Sequence, residues 1–195
     1  MDFTLPDSAR EAAALAHDLA TSGRDLLKEA HDAGYGVIER TAILIELGRQ
    51  AADVPIPADP LSAGAYQLGV VEKALEMTAA HARERVQFGR PIGSFQAVSQ
   101  RLADAYIDVE ALRVALWQAV WCSANDPPAT AEIATAAFWA AEAGHRVLHT
   151  AVHVHGGTGL DLDYPLHRYF LAAEQHEFRS GGATAHLLTL GTVLT

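Results

Sequence analysis

The feature of this sequence that most restricts its fold is a long apolar repeat between residues 95 and 122. Apolar side chains recur there every three or four positions, the spacing at which residues share one face of an α-helix. Segments 62–85 and 129–154 also have helical patterns, and short turns separate the three. Long helices with short connections favour an antiparallel bundle. The repeat of the middle segment consists of Leu102, Ala105, Val109, Leu112, Leu116 and Val120.

The composition also favours helices. The chain has 195 residues, of which 50% are hydrophobic and only 7% are aromatic, and alanine is abundant. Alanine is the best helix former, whereas strands prefer branched and aromatic residues. No convincing strand run is present. The sequence therefore predicts an all-α fold, an antiparallel four-helix-type bundle preceded by short N-terminal helices.

Three shorter helical patterns precede the bundle. Ser8 and Glu11 have the spacing of a capping box before a run that reaches about residue 20. Either Thr21 or Ser22 is expected to cap a second helix, and a third covers about residues 38–52. Pro55, Pro57 and Pro60 then disfavour helix. We expect an N-terminal helical remnant at 1–54, a proline-rich link at 55–61 and the C-terminal bundle at 62–195.

Further turn signals place the later helices. Ser94 is expected to cap the helix that follows it. Asp126 and Pro127 have the order of a cap and a first helical residue. A short helix near residues 166–172 and a last helix from about Gly182 complete the prediction.

Charge and cysteine content narrow the class of protein. The formal net charge is −10 and no basic patch is visible, which argues against nucleic-acid binding. One cysteine, Cys122, excludes an internal disulfide and fits a reducing compartment. Neither a signal peptide nor an apolar run of about 18 residues is visible. We expect a cytoplasmic protein that does not enter a membrane.

The turn RVQFGRPIGSFQ, residues 85–96, lies between two long helical segments. Arg85 and Gln87 could point toward one phosphate-bearing ligand, and a helix N-terminus close by would favour an anion. The alternative is an ordinary interhelical turn with a solvated arginine. These residues alone leave both interpretations open.

Two motifs resemble the acyl-CoA dehydrogenase family. The family signature R-x-x-F-G-x-x-x-x-x-x-Q is matched by Arg85, Phe88, Gly89 and Gln96. Residues 153–169, HVHGGTGLDLDYPLHRY, are similar to the family's Q-x-x-G-G-x-G followed by Tyr-Pro and Arg. The resemblance implies a flavoenzyme subunit. It also implies a β-domain between the N-terminal helices and the bundle, yet Pro57 is followed within a few residues by the first bundle helix.

In the family, the bundle of one subunit reaches the adenosine-pyrophosphate half of the FAD held by its neighbour. The resemblance therefore implies that FAD is shared with a partner subunit. His153 stands where the family usually has Gln, and imidazole can still donate a hydrogen bond. The implied cofactor contacts are Arg85, Gln87, Phe88, Gln96, His153, Val154, His155, Gly156 and Gly157.

The resemblance gives no confident catalytic residue. The family reaction removes a proton α to a thioester carbonyl, which requires a carboxylate within hydrogen-bond reach. The stretch FRSGGATAH places Ser180 or Gly181 at the usual Glu position, and a serine without a base cannot remove that proton. Asp59 lies near the place that other members use, although a loop Asp is more often a cap.

His145, His149 and His153 recur at intervals of four on the third long helix. Two histidines at this spacing can chelate a divalent metal. No carboxylate is clearly placed beside them by the sequence, so the favoured interpretation is a stripe of neutral histidines and no metal site is predicted.

The resemblance thus implies a subunit of a heteromeric flavoenzyme that oxidises an acyl-CoA at Cα–Cβ. This chain would contribute contacts to the ADP half of FAD, would be inactive alone, and would pair with a full-length acyl-CoA dehydrogenase-like subunit. The alternative is a non-catalytic helical scaffold derived from the same fold. A self-sufficient homo-oligomer is the third and least favoured possibility. The first two predict a homo- or hetero-oligomer.

Overall fold

The computed structural model describes residues 5–20, 22 and 24–194, and these residues form an all-α bundle, as predicted. A hairpin of two-residue strands, β1 (Val86–Gln87) and β2 (Arg90–Pro91), interrupts the helices. The helices are α1 (Asp7–Leu19), α2 (Leu26–Asp32), α3 (Val37–Arg49), α4 (Pro60–Glu84), α5 (Gln96–Asn125), α6 (Thr130–His155), α7 (Leu166–Ser180) and α8 (Gly182–Val193).

The three long helices form the centre of the bundle. Helices α4, α5 and α6 pack against one another, and the short connections make α5 antiparallel to the other two. Small residues on α6 allow a close approach. A Cβ on Gly144 would lie 1.9 Å from Nε2 of the buried Gln67 on α4. Helices α7 and α8 then pack on α6.

The N-terminal helices share the core of the bundle. A continuous cluster of buried side chains includes Ala12 of α1, Leu47 of α3 and Leu148 of α6. Helices α3 and α4 cross with their backbones in contact at two glycines. A Cβ on Gly48 would lie 2.0 Å from the carbonyl oxygen of Tyr66, and one on Gly69 would lie 1.9 Å from that of Ile45.

The predicted caps of the first two helices are wrong. The hydroxyl of Ser8 donates to the Glu39 carboxylate (2.8 Å), and no side chain among the described residues caps α1. Helix α2 begins later than predicted, so Asp25 caps it and accepts from the backbone N–H of Lys28 (3.0 Å). Ser22 lies too far before α2 to cap it. The alternative cap, Thr21, lies outside the described residues.

The observed starts of α5 and α6 also differ from the prediction. The Ser94 hydroxyl donates to the carbonyl of Pro91 (2.7 Å), and Phe95 occupies the cap position of α5. Helix α6 begins only at Thr130, so Pro127 is not its first residue and Asp126 instead ends α5.

The proline-rich segment joins α3 to α4 without a sheet domain. Residues 50–59 connect the two helices directly, and α4 begins at Pro60, inside the predicted link. Asp59 caps α4 by accepting from the backbone N–H of Ser62 (2.8 Å). The division at 54 and 61 remains a prediction.

Helix α7 is longer than predicted. It continues beyond residue 172 because its buried face continues: Leu166, Tyr169, Ala173 and His176 recur at helical spacing. The extra turns carry Glu174 and Glu177. In the part of the chain that the structure describes, no helix combines the length and the hydropathy of a membrane span.

The crossing of α3 and α4 can be tested by substitution. Gly69→Ala places a methyl group against a backbone oxygen that cannot rotate away. We expect the free energy of unfolding to fall by about 2 to 3 kcal/mol, which lowers Tm by roughly 5 to 10 °C. Thermal denaturation measures the change. Gly191→Ala is the control, because its added Cβ on α8 meets no other element within 4 Å in the part of the chain that the structure describes. It should instead stabilise by about 0.5 to 1 kcal/mol.

Candidate functional site

The hairpin between α4 and α5 presents an exposed aromatic side chain at its tip. Val86 pairs with Pro91 and Gln87 with Arg90, which leaves Phe88 and Gly89 as the two-residue loop. Both have positive φ, at 53° and 76°, as a type I′ turn requires. Glycine adopts this conformation readily, whereas phenylalanine rarely does.

Phe88 is both strained and 92% exposed. Its ring meets the edge of Phe95 with 6.1 Å between centroids, and the Arg90 guanidinium lies 4.1 Å from the Phe95 centroid. These contacts with Phe95 support the hairpin, and most of the Phe88 ring remains exposed to solvent. A strained backbone together with a large exposed apolar side chain indicates a binding surface.

The second motif lies at the C-terminal end of α6, around His155. Its Nδ1 lies 2.9 Å from the carbonyl oxygen of Ala151, so Nδ1 carries the proton and Nε2 accepts from the Tyr164 hydroxyl at 3.2 Å. The ring stacks on His81 of α4 with 4.3 Å between centroids. Burial lowers the pKa of His155. Burial first, and then the nearby His155 and Arg85, lower the pKa of His81.

This stacked pair brings the two sequence motifs to the same end of the bundle. His81 lies on α4 one turn before Arg85, which follows the last residue of that helix, and His155 immediately precedes Gly156 and Gly157. Neutral rings can stack there without charge repulsion, which agrees with the lowered pKa values of both. The predicted contact residues therefore share one end of the molecule. Of these, Arg85, Gln87, Phe88, Gln96, His153, Gly156 and Gly157 are exposed, Val154 is half-buried and His155 is buried.

The glycines of the second motif have different requirements. Gly156 ends α6 with φ of 61°, and both Gly156 and Gly157 have open space beside them. Their backbone can therefore be approached closely by a ligand. Gly159 is needed for packing instead, because its Cβ would lie 3.0 Å from that of His155.

The end with the hairpin also suits an anion. Helix α5 begins here without a side-chain cap, so no side chain at its cap position occupies the N–H groups of its first turn. The exposed guanidinium of Arg85 adds a positive charge. Peptide N–H groups together with a guanidinium favour phosphate.

The two candidate base positions lie at the opposite end of α4. Asp59 caps the first turn of that helix. A cap was the alternative to a catalytic base at this position. Ser180 ends α7, and its hydroxyl donates to the carbonyl of Glu177 (3.1 Å). It shares a cleft of about 10 Å³ with Pro60 and His176, room for about one water molecule. Since α4 has 25 residues, the two ends lie about 36 Å apart.

The histidine stripe on α6 has carboxylates beside it that the sequence analysis missed. Nδ1 of His145 lies 3.6 Å from a carboxylate oxygen of Glu177, and Nε2 of His149 lies 3.8 Å from one of Glu174. Because α7 was expected to end near residue 172, neither glutamate was placed. The continued apolar spacing to Ala173 and His176 was the signal that could have found them.

Comparison with known protein families identifies the chain. Residues 60–194 match the model of the acyl-CoA dehydrogenase C-terminal domain. This chain belongs to the acyl-CoA dehydrogenase family. The match covers α4 to α8, including both motifs and the position of Ser180.

Relatives and solved structures agree with this family. Acyl-CoA dehydrogenase FadE27 of Mycobacterium tuberculosis is 61% identical over 142 residues, which are 69% of this chain but 38% of that protein. The crystal structure of the ChsE4-ChsE5 complex from Mycobacterium tuberculosis has a TM-score of 0.89 at 30% identity and covers 100% of this chain and 99% of that one. The Tcur3481-Tcur3483 steroid ACAD G363A variant has a TM-score of 0.66 at 40% identity over 82% of this chain and 41% of that one.

The buried His176 beside Ser180 should make this family member sensitive to acid. Burial, with Arg179 adding to the effect, lowers the pKa of His176 to about 4. The unfolded chain takes up this proton below about pH 6.5, whereas the folded chain does so only near pH 4. Stability is therefore lost as the pH falls through that window.

Replacing this histidine tests the origin of the acid sensitivity. Between about pH 7 and pH 5, we expect wild type to lose roughly 2 kcal/mol more unfolding free energy than His176→Phe, which keeps a ring against Tyr66. Urea denaturation at both pH values measures the difference. Equal losses in the two proteins would show that His176 does not cause it.

Proposed function

We propose that this chain is one subunit of a heteromeric FAD-dependent acyl-CoA dehydrogenase that oxidises an acyl-CoA at Cα–Cβ. Its role is to contact the ADP half of the FAD held by a partner subunit. The partner supplies the wall for the flavin ring and the catalytic base. The chain alone is inactive.

The observation that carries this proposal is that the two candidate sites lie at opposite ends of α4. The end with the hairpin keeps the residues that suit a nucleotide: the exposed Arg85, the free ring of Phe88 and the open backbone at Gly156. The opposite end has Ser180 in place of a carboxylate, with its hydroxyl bonded to a backbone carbonyl. This distribution supports a shared site, of which this chain supplies one half and a partner supplies the other.

The donor set fits the ADP half of FAD better than the flavin ring. Arg85 and the first-turn N–H groups of α5 can hold a pyrophosphate, and Phe88 can stack on an aromatic base. The segment 50–59 supplies no sheet domain against which a flavin ring could pack. When bound, FAD accepts the hydride that leaves the β-carbon. This chain contributes binding and orientation, and the α-proton goes to a carboxylate of the partner.

Exposed apolar side chains support a partner subunit. Helix α8 is apolar, yet His186 is its single buried residue among those described. Large exposed apolar patches usually mark protein interfaces. The solved ChsE4-ChsE5 structure is a complex of two proteins, and one of its chains aligns with this one over nearly the full length of both. The exposed apolar residues of α7 and α8 include Leu171, Phe178, Leu187, Leu188 and Val193.

The test is co-expression with a full-length acyl-CoA dehydrogenase-like partner, followed by co-purification and measurement of flavin absorbance. We expect a stable yellow complex. Arg85→Ala should weaken FAD retention by about 10- to 100-fold, the loss expected for one charge-assisted hydrogen bond to phosphate. The complex itself should survive.

Arg83→Ala is the matched control. It removes the same charge from the last turn of α4, but two residues earlier and therefore on another face of the helix. We expect FAD retention like that of wild type. Retention unchanged in both variants, with the complex intact, would favour the non-catalytic scaffold. A colourless mixture without a stable complex would contradict the proposal altogether.

A further inference from the structure

A cluster of two histidines and a glutamate joins α6 to α7 on the side of the bundle. His145 and His149 are one turn apart on α6, and Glu174 lies opposite them on α7. We propose that these three side chains form a binding site for a divalent transition metal of the zinc class. The site is separate from the nucleotide contacts, and the proposal does not depend on the shared-FAD function.

The geometry needs only small side-chain movements to hold a metal. One ligand atom from each of the three residues lies within 4.8 Å of the other two. Zinc bonds of about 2.0 to 2.1 Å in a tetrahedron place ligand atoms roughly 3.4 Å apart. The cluster must therefore contract by about 1.4 Å at most. Both histidine side chains are more than half exposed and can rotate without disturbing the core.

The ligand chemistry suits zinc rather than magnesium or calcium. Imidazole nitrogens with a carboxylate oxygen are typical of zinc sites, whereas the harder cations prefer oxygen ligands alone. The two histidine rings already lie close, with 4.4 Å between centroids. Glu177 is near enough to His145, at 3.6 Å, either to be a fourth ligand or to orient that ring.

Ordinary ion pairing explains the cluster poorly. A His–Glu pair at a surface contributes little to stability and needs only one histidine. Here two histidines at chelating spacing face carboxylates on a different helix, so a metal would cross-link α6 and α7. Helix α7 is also tied to the end of α3, where the Tyr169 hydroxyl donates to the carbonyl of Arg49 (2.8 Å). The expected role of the metal is therefore structural, stabilising the position of α7.

The experiment is a zinc titration of the chain near neutral pH. Equilibrium dialysis counts bound zinc, and thermal denaturation reports its effect on stability. We expect about one Zn²⁺ per chain. A metal concentration about a hundredfold above Kd should raise Tm by roughly 5 to 10 °C. Magnesium at the same concentration should do neither.

Three variants assign the site. The double variant His145→Ala/His149→Ala should lose the bound zinc and the rise in Tm, and Glu174→Gln should weaken zinc binding by about tenfold or more. His17→Ala is the matched control, because it also removes a surface histidine paired with a glutamate, at 2.7 Å, but has no second histidine at chelating spacing. It should bind zinc as wild type does.

Several outcomes would overturn the proposal. Zinc that does not bind wild type, or that leaves its Tm unchanged, would leave the cluster as a set of ion pairs. Equal binding by wild type and the double variant would place the metal elsewhere. The two histidines are exposed and Glu174 is half-buried, and the metal-free Tm of each variant verifies that it folds. The zinc titration of wild type tests the proposal even if one variant does not fold.

Discussion

The packing of α4 against α6 is the contact on which the rest of the structure depends. Along this interface, Gly64 lies against Ala140, the buried Gln67 fills the space beside Gly144, and His81 stacks on His155. The small residues Gly64, Ala140 and Gly144 let the two backbones approach each other closely. Because the helices run in the same direction, their C-terminal ends coincide. That coincidence brings the hairpin and the glycine motif together.

The same interface separates the two candidate sites. Helix α4, about 36 Å long, stands between the end with the hairpin and Ser180. A base must be within hydrogen-bond reach of the proton that it removes, so residues at the contact end cannot supply one at the other end. Membership of the acyl-CoA dehydrogenase family is shown by residues 60–194. Division of the reaction between subunits is the proposal that reconciles this membership with a serine, Ser180, at the usual position of the base.

Helix α7 connects the core of the bundle, the histidine cluster on α6 and the exposed apolar side chains near the C-terminus. Its buried face packs on α4 and α6, and its exposed side places Glu174 and Glu177 beside the histidines of α6. The proposed metal would fix the same helix whose last residue is Ser180. A fixed α7 also presents the exposed apolar side chains of α7 and α8 in one arrangement. Binding of the proposed metal, which stabilises α7, would then also favour assembly with a partner.

The sequence by itself determined the helices, because their apolar periodicity is a local property of the chain, and it determined the family, because Arg85 to Gln96 is one continuous motif. It failed at Ser8, Ser94 and Pro127, where caps and helix starts depend on competing hydrogen bonds. Only the tertiary structure decided which motifs meet. The stacking of His81 on His155 and the approach of Glu174 to His149 join residues that are far apart in the chain. Such contacts follow from packing between helices, which no local pattern specifies.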